Sequence, residues 1–338
     1  MSAQTTVEVL PTHSARLVAV AVRRAAELLR AGEVVALPTE TVYGLAANAL
    51  DATAVSGIFE AKGRPSHNPI IVHVGSVAMA RECVSRWPAA AAKLASAFWP
   101  GPLTLVLPRS EPIPDIVTGG GPTVGVRWPS HPFIQAVIEE CGFPLAAPSA
   151  NLSNRVSPTT AEHVRRQLGG RIPLIVDGGA CQVGIESTVL DLTQTPPRIL
   201  RPGMIHAESI AAVIGPVAAD GQDASAILRS PGLMPKHYAP RARLFVWRWQ
   251  NDSELEAHAG RERLNPSEGL ILAYSHVPLG GSWGGVSVIP HDAAAFARAL
   301  YAELNRCDEA GAEWIAVEAP PETSEWRAIA DRLKRAAA

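Results

Sequence analysis

Residues 62–69 read KGRPSHNP, which sets the Lys62 ammonium and the Arg64 guanidinium two residues apart, with Asn68 following on a proline-turned loop. Two cations and an amide in that order suit a triphosphate, because charge-assisted donors bind phosphate oxygens strongly. Taken alone, a Lys and an Arg closing a helix also fit as complements to its dipole. The stretch TVGVRWP at 123–129 opens on Thr123 and ends an apolar run on Arg127. A planar guanidinium there matches a carboxylate in two-point contact, and a structural ion pair is the competing use. LPTETVYGL at 37–45 crowds a carboxylate, a tyrosine and two threonine hydroxyls, Thr41 among them, at the carboxyl end of a strand. Open α/β sheets bind ligands at that end, although an ordinary strand-to-helix turn has the same composition.

Further along, PLAAPSAN at 144–151 carries Ala147, Ser149 and Asn151 and leads to Ser157 at the start of a helical pattern. Hydroxyls and free amides at a helix N-terminus form an anion site or simply cap the helix. GIEST at 184–188 supplies Glu186 and Ser187, and ILRPG at 199–203 adds Arg201 beside a tight turn. His73 ends a short apolar strand, where a lone histidine serves as a hydrogen-bonded core residue as readily as a catalyst. No GxxxxGK[ST] loop or strand-linked GxGxxG occurs, so neither common nucleotide signature is available, and no serine of these stretches has a GxSxG elbow, so a serine hydrolase is poorly supported. The four cysteines, Cys83, Cys141, Cys181 and Cys307, are too dispersed for a CxxC metal or redox pair, which predicts no protein-held metal and fits a reducing cytoplasm.

The elements that must position these residues follow from periodicity. Apolar runs at 34–37, 70–74, 103–107, 123–127, 174–176 and 188–192 read as strands alternating with helices, the order of an α/β sheet. A helix is predicted from an Asp51 N-cap, with Val55, Ile58 and Phe59 on one face ahead of Lys62, and another from Thr159, with Glu162 at capping-box spacing. The pattern fades between 215 and 241 into small, polar and proline residues, which reads as a linker. A second set of strands at 244–249, 269–274, 286–289 and 314–317 then alternates with helices. The expected division is therefore 1–214, a linker at 215–241, and a smaller α/β domain at 242–338. With 338 residues, 47% hydrophobic and a net charge of -2, the chain has ample material for two cores and no global cationic field to draw nucleic acid or anionic lipid. No apolar run approaches the roughly 20 residues of a membrane span.

Taken in order, LPTETVYGL, KGRPSHNP, FWPGPLTLVLP, TVGVRWP, PLAAPSAN, GIEST, ILRPG and KHYAP resemble the threonylcarbamoyl-adenylate synthases of the YrdC-like family, over about residues 15–240. The tail resembles the family's longer, two-domain form. The resemblance implies a twisted, mixed-sheet α/β domain with a concave, partly basic site, joined by a linker to a Rossmann-like C-terminal domain. It also implies an ATP-dependent activation of L-threonine and bicarbonate, with Mg on the phosphates, for tRNA modification. Carried over by position, Thr41, His73, Arg127, Ala147 and Ser187 would form the threonine site. Arg64, Asn68, Thr123, Ser149, Ser157, Arg201 and Tyr238 would hold ATP, and Lys62, close to its phosphates, would act with Arg64 as a catalytic cation that offsets the repulsion between two anions. Tyr238 falls within the expected linker, which would then fold back as a lid. Partners implied are tRNA and the transferase that consumes the product. Ahead of KHYAP this chain has Leu233, Met234 and Pro235 where the family usually has a basic or aromatic pair.

Two other readings compete. Arg23, Arg24, Arg30, Arg165, Arg166 and Arg171 could supply a patch for double-stranded RNA, or be solvated helix faces. Carbamoyl transfer in hydrogenase maturation uses a related domain, but with acylphosphatase and cysteine-rich zinc modules that this sequence does not contain.

Overall fold

A computed structural model describes residues 7–218 and 238–338. They fall into two compact units, one of residues 7–153 and 157–218, the other of residues 154–156 and 238–338. Most of the expected linker at 215–241 lies outside the described residues.

The first unit is organised on one sheet. In chain order its strands are β1 (Glu8–Pro11), β2 (Val35–Leu37), β3 (Gly44–Asn48), β4 (Ile71–His73) and β5 (Leu103–Pro108). They continue as β6 (Thr123–Arg127), β7 (Leu145–Ala146), β8 (Leu174–Asp177), β9 (Thr188–Asp191) and β10 (Arg198–Arg201). Across the sheet they lie in the order β1-β8-β2-β3-β7-β4-β6-β5-β9-β10, with parallel and antiparallel neighbours mixed. Side-chain alternation gives the sheet two buried faces. Ala36, Leu45 and Val72 enter one core with the helices Ala52–Lys62, Ala89–Phe98 and Ala161–Leu168, while Val35, Leu37 and Ala46 enter the other with Ala15–Arg30 and Pro132–Cys141.

The strand at 123–127 occurs as expected, and those at 34–37, 70–74, 103–107, 174–176 and 188–192 occur within a residue or so at either end. Strands β1, β3, β7 and β10 escaped the pattern reading. GLAAN in β3 has little β-propensity of its own and is held by antiparallel partners on both sides.

The helix after Asp51 forms as its sequence dictates. Asp51 Oδ1 accepts from the backbone N–H of Thr53 at 2.8 Å and of Ala54 at 3.2 Å, and Val55 and Ile58 are fully buried, worth about 2 kcal/mol each. It stops at Gly63, whose φ of 60° is left-handed; there Arg64 N–H turns back to Phe59 O at 3.0 Å. That reversal sends Lys62 and Arg64 off on different courses. The helix near 159 corrects the expected cap: Thr160, not Thr159, caps Ala161–Leu168 by accepting from His163 N–H at 3.3 Å. Thr159 instead bonds the His163 ring, and Glu162 turns outward to pair with Arg165 and Arg166.

The second unit carries β11 (Arg243–Trp247), β12 (Gly269–Ala273), β13 (Gly285–Val288) and β14 (Trp314–Glu318), all parallel in the order β11-β14-β12-β13. Helices Asp252–Arg261, Ala293–Glu309 and Arg327–Ala336 make this the Rossmann-like layer expected of the tail. Trp249 and Trp314 fill its core. Among the described residues no helix is long and apolar enough to cross a membrane.

Candidate active site

Strands β4 and β6 run parallel and pair His73 with Arg127. In-register residues on neighbouring strands share a face, so the two side chains come out together at the strands' carboxyl ends. The backbone N–H of Ala147 donates to Ile71 O at 3.0 Å and lays the segment after β7 along β4. From the turn after β2, Thr41 Oγ1 accepts from Arg127 Nη1 at 3.0 Å. Thr41, His73, Arg127 and Ala147 are thus gathered at one place, from four separate stretches of chain.

Arg127 is buried and has an anionic neighbour that the residue-by-residue transfer left without a role. Glu40 Oε1 lies 2.7 Å from Arg127 Nη2 and also accepts from the Ser130 backbone N–H at 3.1 Å. Burial pushes the Glu40 carboxyl up, but the Arg127 charge and the hydrogen bonds from Arg127 and Ser130 outweigh it and hold it below the usual carboxylate range. Of the two readings of Arg127 the structure shows the ion pair, with further N–H groups on Gly101 O and Thr41 Oγ1.

His73 is driven the other way. Its burial, then the Arg127 charge, lower its pKa from 6.5 to about 3, so the ring is neutral at pH 7. Its Nδ1 is buried with no partner among the described residues. Stability follows from this. Between pH 6.5 and about 3 the unfolded chain binds a proton that folded His73 refuses, so this contribution is fully present above 6.5 and is lost as pH falls. At pH 5 the loss is about 2 kcal/mol. A His73→Gln variant should show a flatter decline in unfolding free energy between pH 7 and pH 5 than the unsubstituted chain; parallel declines in urea titrations would refute the assignment.

The residues expected to meet phosphate are built around the next loop. Lys62 is only 2% exposed, and its Nζ donates to the carbonyls of Ser149 and Asn151. Burial, then the Arg64 charge, lower its pKa well below that of a free lysine. This differs from a freely projecting phosphate clamp: Lys62 is a strut joining KGRPSHNP to PLAAPSAN. Arg64 curls over its own loop, donating from Nη2 to Pro69 O at 2.8 Å and from Nε to Asn68 O at 3.3 Å. Asn68 is buried beneath it. Thr123 lines a small pocket with Pro69, Ile70, Thr104 and Gly125, which brings the start of β6 to the end of the same loop.

Arg201, at the end of β10, donates from Nε and Nη2 to Ser187 O at 3.1 and 3.0 Å and from Nη2 to Ser187 Oγ at 3.2 Å. Ser187 Oγ in turn lies 2.8 Å from Thr104 Oγ1. Gly203 permits this approach, since a Cβ there would sit 2.4 Å from Thr188 N. The serine of the expected threonine site and the arginine of the expected ATP site thus touch. The GIEST loop is also tied to the threonine side, because Gly184 N–H donates to Thr41 O at 3.1 Å. Ser157 is not a helix cap: its hydroxyl donates to Glu186 Oε1 at 2.7 Å, and both residues are buried. Besides Glu40, Thr104 was a missed polar residue, read only as part of an apolar strand; a lone hydroxyl inside Leu103–Pro108 was its signal.

Tyr238 is placed in the second unit. Its ring stacks on Tyr301 at 5.8 Å, with the Arg332 guanidinium 5.4 Å above it. The arginines of the alternative RNA patch are largely neutralised locally: Arg24 pairs with Glu8 and Glu27, Arg30 with Glu140, and Arg165 and Arg166 with Glu162. Arg171 donates to Ala61 O.

The fold is thus an α/β protein on a mixed sheet, whose loops gather Arg127 with Thr41 and His73, and Arg201 with Ser187 and Thr104. Residues 27–203 match the Sua5, YciO and YrdC family, described as Telomere recombination, and residues 205–338 match the threonylcarbamoyl-AMP synthase C-terminal domain. The chain belongs to this Sua5 and YrdC family. Similar relatives include the threonylcarbamoyl-AMP synthases of Pyrococcus abyssi, 42% identical over 93% of each chain, and of Bacillus subtilis, 42% identical over 94% of this chain and 92% of the relative. In structure the chain is similar to P. abyssi Sua5 complexed with L-threonine, with a TM-score of 0.89 at 38% identity, covering 98% of this chain and 97% of that one.

Proposed function

We propose that this chain is a threonylcarbamoyl-AMP synthase, a nucleotidyltransferase that converts L-threonine, bicarbonate or CO2, and ATP to L-threonylcarbamoyladenylate and pyrophosphate, for tRNA threonylcarbamoyladenosine formation. The observation that carries the reading is the contact of Ser187 with Arg201, next to a GIEST loop bonded to Thr41: it makes the amino-acid and nucleotide sides continuous. The relatives' shared activity and the L-threonine bound by P. abyssi Sua5 support it.

Arg127 takes the threonine carboxylate, with Thr41, neutral His73, Ala147 and Ser187 completing the amino-acid site. The threonine nitrogen forms a bond to the carbon of CO2 and loses a proton, giving a carbamate. A carbamate oxygen then attacks the α-phosphorus, and the bond to pyrophosphate breaks. Both partners are anions, so Arg64 and Arg201 offset their repulsion while Asn68, Thr123, Ser149 and Ser157 hold the nucleotide in line. Lys62 acts by fixing the Ser149 to Asn151 turn. Mg would enter on the phosphates of ATP, which supply it with oxygen ligands. Tyr238 is assigned to ATP by resemblance alone, and tRNA and the threonylcarbamoyl transferase are the expected downstream partners.

Mixing the pure protein with ATP, Mg, bicarbonate and one amino acid at a time tests the reading. Pyrophosphate release should follow L-threonine; release independent of amino acid, or driven by a dissimilar one, would overturn it. Serine lacks one methyl, worth roughly 1 to 3 kcal/mol in a pocket, so its kcat/KM should be about 10 to 200 times lower but measurable. Complete rejection of serine would reveal a steric or editing device beyond simple pocket filling.

A further inference from the structure

We infer that Glu40 is a positioning residue for amino-acid binding, setting the direction in which Arg127 presents its free N–H. The inference rests on the proposed threonine site and deepens it. A guanidinium has five N–H donors. In Arg127 one is used by Gly101 O at 3.3 Å from Nε, one by Thr41 Oγ1 at 3.0 Å from Nη1, and one side of Nη2 faces Glu40 Oε1 at 2.7 Å. Nη2 is itself buried against Glu40, so the second N–H of Nη1 is the donor left to meet a ligand carboxylate. Gly101 and Thr41 are soft, neutral anchors. Glu40 is the charged one, and it fixes the plane of the guanidinium and with it the direction of that donor.

Three features show that the carboxylate is itself held. Both members of the pair are at most 4% exposed in their side chains, so the interaction is little screened by solvent. The Ser130 N–H, three residues beyond Arg127, donates to the same Oε1, which ties the carboxylate to the loop leaving β6. The Glu40 backbone is pinned on its other side, because Val183 N–H donates to Glu40 O at 2.8 Å. The other oxygen, Oε2, is buried without a hydrogen-bond partner among the described residues, so the charge of Glu40 is compensated chiefly by Arg127. An aspartate, shorter by one methylene, cannot hold both Arg127 and Ser130 in this arrangement, and a glutamine keeps the shape without the charge.

The test compares Glu40→Gln and Glu40→Asp with the unsubstituted chain, measuring KM for L-threonine, Kd for ATP and kcat. Glu40→Gln should raise the threonine KM tenfold or more and Glu40→Asp about threefold to tenfold, with ATP Kd within twofold in both. Should Glu40→Gln fail to fold, Glu40→Asp, which retains the buried charge pair, decides the matter. Normal threonine KM in a folded variant, or equal weakening of threonine and ATP, would overturn the inference, since a merely structural role predicts the latter. An Arg127→Lys control separates the two levels. If that variant loses threonine while the Glu40 variants do not, Glu40 has no positioning role and the threonine site stands; if it too binds threonine normally, the site assignment itself has failed.

Discussion

Replacing Arg64 with alanine is expected to lower threonine-dependent pyrophosphate release by about 100-fold or more, the scale seen when one preorganised donor is removed from a developing charge. In the structure Arg64 lies over the 64–69 loop, anchored on the carbonyls of Asn68 and Pro69 and with Asn68 buried below it. The substitution therefore removes a cation and also frees two carbonyls. A steady-state assay alone would confuse these effects, so threonine binding must be measured in the same variant. The expected outcome is loss of ATP affinity and turnover with threonine binding unchanged. Wild-type turnover would remove Arg64 from the nucleotide site. Lys62 is a poorer probe of phosphate contact, because its buried ammonium holds the Ser149 and Asn151 carbonyls and its loss would disturb the turn itself.

The second large effect is expected at Arg127. Alanine there would leave the Glu40 carboxylate buried without its cation, which costs about 3 to 5 kcal/mol and would destabilise the whole unit. Arg127→Lys is the cleaner variant: it keeps the positive charge but has no planar fork, so it cannot serve Glu40, Thr41 and a ligand carboxylate together. The threonine KM should rise by about 100-fold, a loss near 2.7 kcal/mol, while ATP affinity stays within twofold. Calorimetric binding of threonine at normal affinity would dismiss the carboxylate clamp. Weakening of both ligands alike would point to damage in β6 in place of a lost contact.

Much of this arrangement was legible in the sequence where local chemistry and tertiary role agree. Asp51, Val55, Ile58 and Gly63 announce a helix and its end, and the structure follows them. The β-branched runs at 123–127 and 188–192 are strands because they fit a sheet buried on both faces. What sequence could not supply is pairing across distance. GLAAN at 44–48 is a strand because β2 and β7 flank it, a fact its own alanines and glycine do not carry. Ser157 sits where a cap is expected, yet its hydroxyl goes to Glu186, 29 residues away. Lys62 and Arg64 look alike as neighbours in a motif; the left-handed turn at Gly63 separates a buried strut from a cation over the loop. Glu40 is visible in LPTETVYGL, but its importance depends on Arg127, which only the assembled sheet brings to it.

The proposed site also carries an expectation about which oxygen of the amino acid reacts. On the proposed reading Arg127 holds the α-carboxylate, the carbamate is the nucleophile at the α-phosphorus, and the amino acid is not adenylated directly. Mass spectrometry of the adenylate formed from ATP, L-threonine and 13C-bicarbonate tests this most directly. The product should carry a single 13C in an adenylate of carbamoylated threonine; threonyl-adenylate without the label would mean that the carboxylate had attacked, and would contradict the site as described.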